Sequence, residues 1–447
     1  MNINTKTVAA VTLGCKLNYA ETSSILDKLS KEGWQISSIE DGAELIIIHT
    51  CAVTKQAEQK CRQKIRRIIR KNPSSRIAVI GCYSQLNSEI LASIEGVDAI
   101  LGNNEKYNLE WYHDTGEHVS VEPLVKVSPA CTFKDIHEGY SLYSEESKER
   151  TRAFLKIQDG CDFGCSYCAI PEARGKSRSL SDAQIVEQAC NLSRNGYMEI
   201  VITGVNIGDY RYNGMMLSDL LRLLETVDVS RLRISSIEPE FLDDTMISLV
   251  GNSEKIVPHF HVPLQSGSNA ILRAMQRRYD TDLYRERIYK AVESITDCAI
   301  GADVMVGYPG ETETDFLEIC RFIEELPVAY LHVFSCSIRP GTLLSRQVAN
   351  KERKAVHPDE IARRYHEIAR LGKKKEARFN NRYAGRIMDV LFEDCKEVRC
   401  GVYECSGYTR NYLRVSVESE TNLTGTEMPV KIERACDDLI LKGRLLS

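Results

Sequence analysis

Residues 154–168 have the sequence FLKIQDGCDFGCSYC, in which Cys161, Cys165 and Cys168 follow a short apolar run. The run predicts a β-strand, and the three cysteines fall in the loop after it. Thiolates are soft ligands that select zinc or iron–sulfur clusters. A 4Fe–4S cube takes four ligands, so a local CxxxCxxC set leaves one iron open to bind another group. The alternatives are incidental buried cysteines, or zinc completed by a distant ligand, although zinc sites are usually built from paired C-x₂₋₄-C modules.

The same stretch opens a long series of strands and helices. Helical segments such as 181–193 and 314–326 separate the predicted strands, which lie at 154–157, 199–203, 232–237, 259–263, 302–306 and 330–334. Strands that alternate with helices predict a parallel sheet with helices on its faces. Six such units are too few for a full eight-stranded barrel. We therefore expect residues 151–375 to form an open, partial (β/α)6 barrel, which suits a large substrate.

A smaller α/β pattern precedes this series, in residues 1–120. Predicted strands at 8–13, 45–48, 77–80 and 99–101 alternate with helices at 20–31 and 55–70. Cys15, Cys51 and Cys82 each follow one of the first three strands. The carboxyl ends of parallel strands meet at one edge, where ligands bind. These cysteines are candidates for a second cluster site; ordinary packing at strand ends is the alternative.

Two further regions complete the predicted organisation. Residues 121–150 contain Pro123, Pro129 and a polar run at 143–150, which is typical of a linker. From residue 378 to 447 the pattern changes to short strands at 388–392, 412–416 and 428–432 without helices between them, which predicts a small all-β barrel. The predicted fold class is α/β, with a parallel αβ sheet domain, a partial barrel and an all-β barrel.

Composition limits the function classes. The 447 residues are 43% hydrophobic and 27% charged, as in an ordinary globular protein. No apolar run approaches the ~18 residues of a membrane span, and the first residues lack the layout of a signal peptide, so we expect a cytoplasmic protein. The 16 cysteines are too few for a disulfide scaffold in so long a chain. In a reducing compartment the clustered cysteines indicate metal or catalytic roles, and we expect the other ten to be mostly structural.

The net charge of −5 hides two basic segments. Residues 60–72 carry seven basic side chains and no acidic one, and residues 361–386 carry nine basic and two acidic ones. Local positive charge is what phosphate contact requires, whereas a solvated helix face is the alternative for each segment. Four aromatic residues of the C-terminal region could stack on bases, although we expect core packing for most of them: Phe379, Tyr383, Tyr408 and Tyr412.

These motifs together resemble the radical S-adenosylmethionine methylthiotransferases over nearly the whole chain. Tyr167 precedes the last cysteine of CxxxCxxC, and the blocks ITGVN, HVPLQSG, GYPGET and RPGT follow in order, beginning at Ile202, His261, Gly307 and Arg339. The C-terminal region resembles a TRAM barrel, which implies RNA binding.

Two N-terminal motifs resemble one branch of that family, which acts on threonylcarbamoyladenosine in tRNA. They are LGCKLN at 13–18 and HTCAVT at 49–54. The isopentenyladenosine branch typically has Gln-Met after the first cysteine, and the ribosomal-protein branch has Pro-Lys-Asn; this chain has Lys16 and Leu17. His49 stands where the branch has asparagine.

The resemblance implies two 4Fe–4S clusters and S-adenosylmethionine. Cys161, Cys165 and Cys168 would hold the catalytic cluster, whose open iron binds S-adenosylmethionine. Reduction then yields a 5′-deoxyadenosyl radical aimed at the C2 hydrogen of the target adenine. The auxiliary cluster would be held by Cys15, Cys51 and Cys82 and would carry the inserted sulfur. Candidates for the S-adenosylmethionine pocket are Tyr167, Gly204, Ser236, Glu238, Gln265 and Arg339.

The predicted function is an enzyme that inserts a methylthio group at C2 of threonylcarbamoyladenosine next to the anticodon. The implied partners are the tRNA anticodon stem-loop and an electron donor such as a flavodoxin or ferredoxin. We expect a monomer with no membrane or DNA partner. The alternatives are the same chemistry on isopentenyladenosine or a ribosomal protein, a non-catalytic iron–sulfur redox sensor that binds RNA, and a zinc-stabilised RNA module.

Overall fold

The computed structural model describes residues 6–52, 54–113, 122–141, 151–435 and 439–446. The polar run at 143–150, on which the linker prediction partly rested, lies outside these residues. Within them, no helix combines the length and the apolar character that crossing a bilayer requires.

The first domain is a six-stranded parallel sheet in the order β2-β1-β3-β4-β5-β6. Its strands are β1 (Thr7–Thr12), β2 (Gln35–Ile36), β3 (Leu45–Thr50), β4 (Arg76–Gly81), β5 (Ala99–Leu101) and β6 (Leu124–Lys126). Its helices are α1 (Lys16–Lys31), α2 (Lys55–Lys71), α3 (Cys82–Leu86), α4 (Ser88–Ala92) and α5 (Glu110–His113). The central strand β3 is buried throughout, as its continuous apolar run predicts for a strand with helices on both faces.

The predicted linker over 121–150 was wrong for residues 124–126. These residues form β6, which pairs in parallel with β5 and extends the first sheet. The strand has only three residues, and the central one, Val125, is exposed, so neither its length nor its alternation distinguishes it from a loop.

The central domain is the expected open barrel. Its two three-stranded parallel sheets, β13-β10-β7 and β14-β15-β16, are joined by the bridges Leu232↔Ile256 and Ser236↔His261. The long strands are β7 (Arg152–Lys156), β10 (Glu199–Thr203), β13 (Arg231–Ile234), β14 (His259–His261), β15 (Ala299–Val306) and β16 (Tyr330–Ser335). Two further pairs of short strands are antiparallel. They are β8 (Gln158–Asp159) with β9 (Arg178–Ser179), and β11 (Arg211–Tyr212) with β12 (Met215–Met216).

Most helices of this domain cover the outside of the barrel, whereas the first of them follows the cysteine loop and packs against α3 of the first domain. They are α6 (Ile170–Arg174), α7 (Asp182–Arg194), α8 (Leu217–Leu224), α9 (Asp244–Asn252), α10 (Asn269–Ala274), α11 (Thr281–Ser294), α12 (Glu313–Glu325), α13 (Leu343–Ala349) and α14 (Pro358–Asn381). The largest apolar core of the described residues lies between strands and helices; Leu155, Ile200 and Leu232 on three neighbouring strands are fully buried in it. The packing of these side chains holds in place the end of β7, after which the cysteine loop begins.

The C-terminal domain is a closed five-stranded barrel in the order β17-β18-β19-β21-β20. Its strands are β17 (Ile387–Arg399), β18 (Val402–Thr409), β19 (Arg414–Ser419), β20 (Glu427–Ala435) and β21 (Leu441–Leu445). The sequence predicted a barrel but only three of these strands, because Glu404, Ser406 and Gly407 interrupt the apolar alternation of β18. Cys395 and Cys405 face each other across β17 and β18 and form a disulfide, a pairing the sequence did not predict.

Candidate active site

The three cysteines of CxxxCxxC lie in the connection between β8 and β9, and the antiparallel pairing of these two strands closes its base. The amide of Phe163 donates to Sγ of Cys161 at 3.4 Å, and the amide of Ile170 donates to Sγ of Cys168 at 3.5 Å. Gly160 begins the loop with φ +73°, and a Cβ there would lie 2.0 Å from the carbonyl oxygen of Lys176. The loop therefore requires glycine at this position.

The thiols in this loop affect one another's ionisation. Burial raises the pKa of Cys161 to about 11, and the neighbouring Cys165 adds to the increase. Burial likewise raises the pKa of Cys168 to about 12, with contributions from Cys165 and Cys161. Three thiols crowded in this way become thiolates only with a compensating cation, and iron supplies one. The donor set therefore fits a cluster with three protein ligands.

Arg277 is a charged side chain beside this loop that was not predicted from the sequence. Its Nη1 lies 3.3 Å from Sγ of Cys165 and 3.5 Å from the hydroxyl of Tyr167. Its Nη2 forms an ion pair with the Glu238 carboxylate. Burial raises the pKa of Glu238 to about 7, although Arg277 opposes that increase. Arg277 lies between α10 and α11, in no motif, so only the tertiary structure brings it to the cysteines.

The second set of cysteines lies along one edge of the first sheet. Cys15 is the N-cap residue of α1, Cys51 follows β3, and Cys82 is the first residue of α3. The strands before them, β1, β3 and β4, are neighbours in the sheet. The helix α1 begins at Lys16 rather than at the predicted residue 20. Burial raises the pKa of Cys15; Arg174 opposes this effect and the nearby Cys82 adds to it.

A buried network of charges joins this edge to the barrel. Glu21 accepts hydrogen bonds from Arg174 at 2.9 and 3.0 Å, from Lys106 at 2.7 Å and from Lys156 at 2.8 Å. Asp159 pairs with Lys156 at 2.8 Å and with Arg174 at 2.9 Å. Three cations thus share two carboxylates.

The neighbouring histidine does not change this balance. Burial, together with Lys106, lowers the pKa of His49 well below its usual range, so the ring stays neutral. Buried charge is costly unless it is compensated. Arg174 is within electrostatic reach of both Cys15 and Cys82. The excess positive charge therefore fits an anionic iron–sulfur cluster bound by thiolates at this edge.

An open cavity of about 420 Å³ lies where the three domains meet. The first domain contributes Cys15 and Lys16, and the C-terminal barrel contributes Tyr412. The strands of the central barrel and the loops after them supply most of the remaining wall, including Gly204, Arg233, Ser236, His259, His261, Asp303, Tyr330 and His332. A single space is therefore bounded by one cysteine of the second set, the barrel and the candidate RNA-binding domain.

The predicted pocket residues separate into three groups. Gly204 and Ser236 line the cavity. Glu238 and Tyr167 lie instead beside Arg277 and the cysteine loop. Gln265 has φ +59°, and its buried Oε1 has no hydrogen-bond partner among the described residues. This orphaned acceptor fits a ligand with a hydrogen-bond donor, such as S-adenosylmethionine.

Gly204 lies close to the backbone of the strand that precedes the cysteine loop. A Cβ on Gly204 would lie 2.9 Å from the carbonyl oxygen of Gln158. The approach to Gln158 therefore requires glycine here, and a role of Gly204 in cofactor binding stays a prediction. The side chain of Gln158 accepts from the amides of Val205 and Asn206 at 3.0 and 2.9 Å and donates to the carbonyl of Gly160 at 2.7 Å. It connects the cavity wall to the cysteine loop.

Arg339 is not among the residues that line the cavity, and its predicted role in binding S-adenosylmethionine stays a prediction. Its guanidinium pairs with Glu58 on α2 and so connects the barrel to the first domain. The RPGT block turns towards the cysteine loop at its next glycine, since a Cβ on Gly341 would lie 2.3 Å from Oε2 of Glu172. A motif in sequence gives no direction for a long side chain, and here the direction is set by the docking of α2.

Several cavity residues were not predicted as site residues. Arg233, Asp303 and His332 belong to no motif, and Lys16 and His261 lie in the LGCKLN and HVPLQSG motifs without an assigned role. Asp303 Oδ1 lies 3.0 Å from Nε2 of His261 and 3.4 Å from Nδ1 of His332. Strand ends in a parallel barrel are where such groups converge, and that rule was the only available signal.

Of the four aromatic residues, Phe379 and Tyr383 are buried in the core of the C-terminal barrel, as expected of most of them. Tyr408 and Tyr412 are only partly buried. Their rings stack at a centroid separation of 4.8 Å, and Tyr412 lines the cavity.

A parallel open barrel with a CxxxCxxC loop after its first strand defines a radical S-adenosylmethionine protein. Consistently, residues 155–323 match the model of the Radical SAM superfamily, and residues 7–102 match the uncharacterized protein family UPF0004. This class uses a 4Fe–4S cluster and S-adenosylmethionine.

Relatives extend the match to nearly the whole chain. The threonylcarbamoyladenosine tRNA methylthiotransferase MtaB of Bacillus subtilis is 35% identical, with 96% of this chain and 94% of that protein covered. MtaB of Thermotoga maritima is 32% identical, with 98% and 97% covered. The tRNA-2-methylthio-N(6)-dimethylallyladenosine synthase of Staphylococcus haemolyticus is 30% identical, with 96% and 83% covered. The chain belongs to the MtaB family of radical S-adenosylmethionine tRNA methylthiotransferases.

Solved structures support the fold alone. The radical S-adenosylmethionine methyltransferase TsrM from Kitasatospora setae, with cobalamin and a [4Fe-4S] cluster bound, aligns with a TM-score of 0.58 at 14% identity, over 78% of each chain. OxsB aligns with a TM-score of 0.52 at 12% identity, over 83% of this chain and 62% of that one.

Proposed function

We propose that this enzyme inserts a methylthio group at C2 of N6-threonylcarbamoyladenosine next to the anticodon of tRNA. The observation that carries the proposal is the shared cavity, in which Cys15 of the first domain faces the strand ends of the radical barrel. Methylthiolation needs a sulfur source and a means of C–H activation in one space. The near full-length relatives named MtaB support the choice of nucleoside.

Each cysteine set has its own role in this proposal. Cys161, Cys165 and Cys168 hold one 4Fe–4S cluster, with S-adenosylmethionine at the open iron, and Cys15, Cys51 and Cys82 hold the second. When bound, these groups supply the reductive cleavage of S-adenosylmethionine and the sulfur that is methylated and inserted. The Arg277 guanidinium compensates the Cys165 thiolate, and the amides of Phe163 and Ile170 donate to the other two sulfurs.

The protein must also hold the two sets at a fixed separation and limit access of water. The Glu21–Arg174 network does the first, because it joins α1 to α6 across a fully buried interface. The cavity walls, together with the bound adenine base of the tRNA, limit the access of water. Gln265, with its free Oε1, is the best candidate for a polar contact to S-adenosylmethionine. Ser236 on the cavity wall is the next candidate.

The proposal also includes the partners and the oligomeric state of the enzyme. The tRNA anticodon stem-loop enters at the cavity mouth beside the C-terminal barrel, and the exposed basic face of α2 contacts phosphate. A flavodoxin or ferredoxin supplies the electron, and the enzyme acts as a cytoplasmic monomer. Size-exclusion chromatography with light scattering tests the last point.

The test is anaerobic reconstitution with tRNA that bears threonylcarbamoyladenosine, followed by nucleoside mass spectrometry and measurement of 5′-deoxyadenosine. Cys82→Ala is expected to form 5′-deoxyadenosine without inserting sulfur, and Cys165→Ala to lose both activities. Cys320→Ala, on the outer helix α12, is the matched control and keeps both. Full methylthiolation by Cys82→Ala, or wild-type product only on isopentenyladenosine tRNA, contradicts the proposal. Wild-type protein without 5′-deoxyadenosine would support a non-catalytic redox sensor instead.

A further inference from the structure

Lys16 is an uncompensated cation in the cavity. It lies in the first turn of α1, directly after Cys15, and lines the cavity wall. It makes no hydrogen bond or ion pair with any residue that the structure describes. Arg152, Arg233 and Glu199 are the charged groups within its electrostatic reach, and Glu199 already pairs with Arg233, so the two arginines add positive charge that Glu199 only partly offsets.

Arg233 lines the same cavity and has one guanidinium donor without a partner in the described part of the chain. Its Nε and Nη2 donate to the two carboxylate oxygens of Glu199 at 2.6 and 2.9 Å, which fixes the plane of the guanidinium. Its Nη1 is buried and has no hydrogen-bond partner among the described residues. A buried donor without a partner costs free energy unless a ligand satisfies it.

The carboxylates near these cations already have partners. Glu199 pairs with Arg233, and Glu393 accepts from Arg152 at 2.8 Å. Asp303, on the cavity wall, is contacted by His261 and His332. None of these acids pairs with Lys16. An anionic ligand is therefore what this wall of the cavity lacks.

Tyr412 supplies an aromatic surface next to the two cations. It occupies the turn after β18 with φ +71°, and its amide donates to the carbonyl of Thr409 at 3.0 Å. A non-glycine residue in this conformation is uncommon and is stabilised here by a built turn, in which the Leu413 amide donates to Oγ1 of Thr409 at 2.9 Å. The Arg233 guanidinium lies 4.9 Å from the Tyr412 ring centroid.

We infer that Lys16 and Nη1 of Arg233 bind the carboxylate of the threonyl group, with Tyr412 against the modified base, and that Lys16 determines specificity for this substrate. The inference rests on the proposed function. The threonyl carboxylate is the only negative charge on the modified base, and unmodified adenine or an isopentenyl base would leave both cations unsatisfied. A site with unsatisfied polar groups rejects a ligand that cannot pair with them.

The test compares two anticodon stem-loops, one with threonylcarbamoyladenosine and one with its neutral methyl ester. Wild-type protein is expected to bind the acid about tenfold or more tightly than the ester, as one charge-assisted hydrogen bond predicts. Lys16→Gln is expected to bring that ratio close to one by weakening binding of the acid alone, with iron content retained. Lys16→Arg keeps the preference.

Lys290→Gln is the matched control, because Lys290 pairs with Asp244 on the outer surface. It is expected to keep the wild-type preference. An unchanged ratio in Lys16→Gln overturns the inference, even where wild-type protein methylthiolates the acid. A loss of iron from Lys16→Gln also overturns it, since Lys16 would then act on the neighbouring cluster. If wild-type protein modifies neither stem-loop, the proposed function fails instead, so the two failures are distinguishable.

Discussion

Arg174 donates from both terminal nitrogens to the two carboxylate oxygens of Glu21, at 2.9 and 3.0 Å, with both side chains buried. Arg174 ends the short helix that follows Cys168, and Glu21 lies on the helix that Cys15 caps. Nη2 of Arg174 also donates to Oδ1 of Asn18 at 2.8 Å, the atom that accepts from Sγ of Cys15 at 3.5 Å. One guanidinium therefore couples the positions of the two candidate cluster sites.

Replacement of this arginine tests the coupling. Arg174→Met leaves Glu21 with only Lys106 and Lys156 and removes the contact to Asp159. Removal of one partner from a buried pair costs about 3–5 kcal/mol. We expect urea denaturation to show a loss of this size in the free energy of unfolding, together with reduced iron content.

The control is Arg222→Met, which breaks an exposed pair with Asp219 at 3.0 Å and should cost less than about 1 kcal/mol. Equal losses in the free energy of unfolding would show that the buried pair stabilises the fold no more than the exposed pair.

The sequence predicted what depends on local pattern, and it missed what depends on the docking of domains. The six cysteines follow strands, and strand ends converge by the rules of parallel sheets. Arg174 lies beyond the cysteine motif without a periodic or spacing signal, and its partner Glu21 is on a helix whose first turn was not predicted. The pairing of Arg339 with Glu58 of another domain was likewise not predicted from its motif.

Gly160→Ala tests the geometry of the cysteine loop. Both Gly160 and Gly196 have positive φ, at +73° and +84°, so alanine at either costs about 1 kcal/mol of backbone strain. Only at Gly160 would the new Cβ meet a backbone oxygen, whereas the space around Gly196 is open. We expect Gly160→Ala to lose iron and 5′-deoxyadenosine formation, and Gly196→Ala to retain both. Normal iron content in Gly160→Ala would mean that the loop adjusts without displacing Cys161.

The two basic segments are expected to contribute differently to tRNA affinity. On α2, Arg66 and Arg70 are exposed, and no ion pair to either is found among the described residues. On α14, Arg363 and Arg364 pair with Glu313 and Glu311. Charge that already has an internal partner releases fewer counterions on binding. Residues 60–72, for which phosphate contact was predicted with a solvated helix face as the alternative, are therefore a better candidate than Arg363 and Arg364. Other basic residues of α14 are exposed without an ion pair among the described residues: Arg370, Lys373, Lys374 and Arg378.

The combined variant Arg66→Gln/Arg70→Gln should lower the slope of log affinity against log salt by about 1.5, since each phosphate contact contributes about 0.7–0.9. The measurement is fluorescence anisotropy with labelled tRNA at several salt concentrations. Arg363→Gln serves as the control and should leave the slope close to that of wild type. A larger effect from Arg363→Gln would assign the phosphate contact to α14.

Glu199 gives the enzyme a defined acid sensitivity. Burial alone would raise the pKa of Glu199, but the Arg233 guanidinium outweighs it, with Arg152 and Arg231 nearby, and lowers the pKa from 4.5 to about 2. The unfolded chain therefore binds a proton that the folded chain does not in this range. The stabilisation is fully present above pH 4.5 and is lost as the pH falls towards 2; it amounts to about 3 kcal/mol. Urea midpoints measured across this range should fall steeply for wild type and less steeply for Glu199→Gln, which is also less stable at pH 7. The control is Glu187→Gln, at an exposed position of α7, which should give the same pH dependence as wild type. If Glu199→Gln also gave the wild-type pH dependence, Glu199 would be excluded as its source.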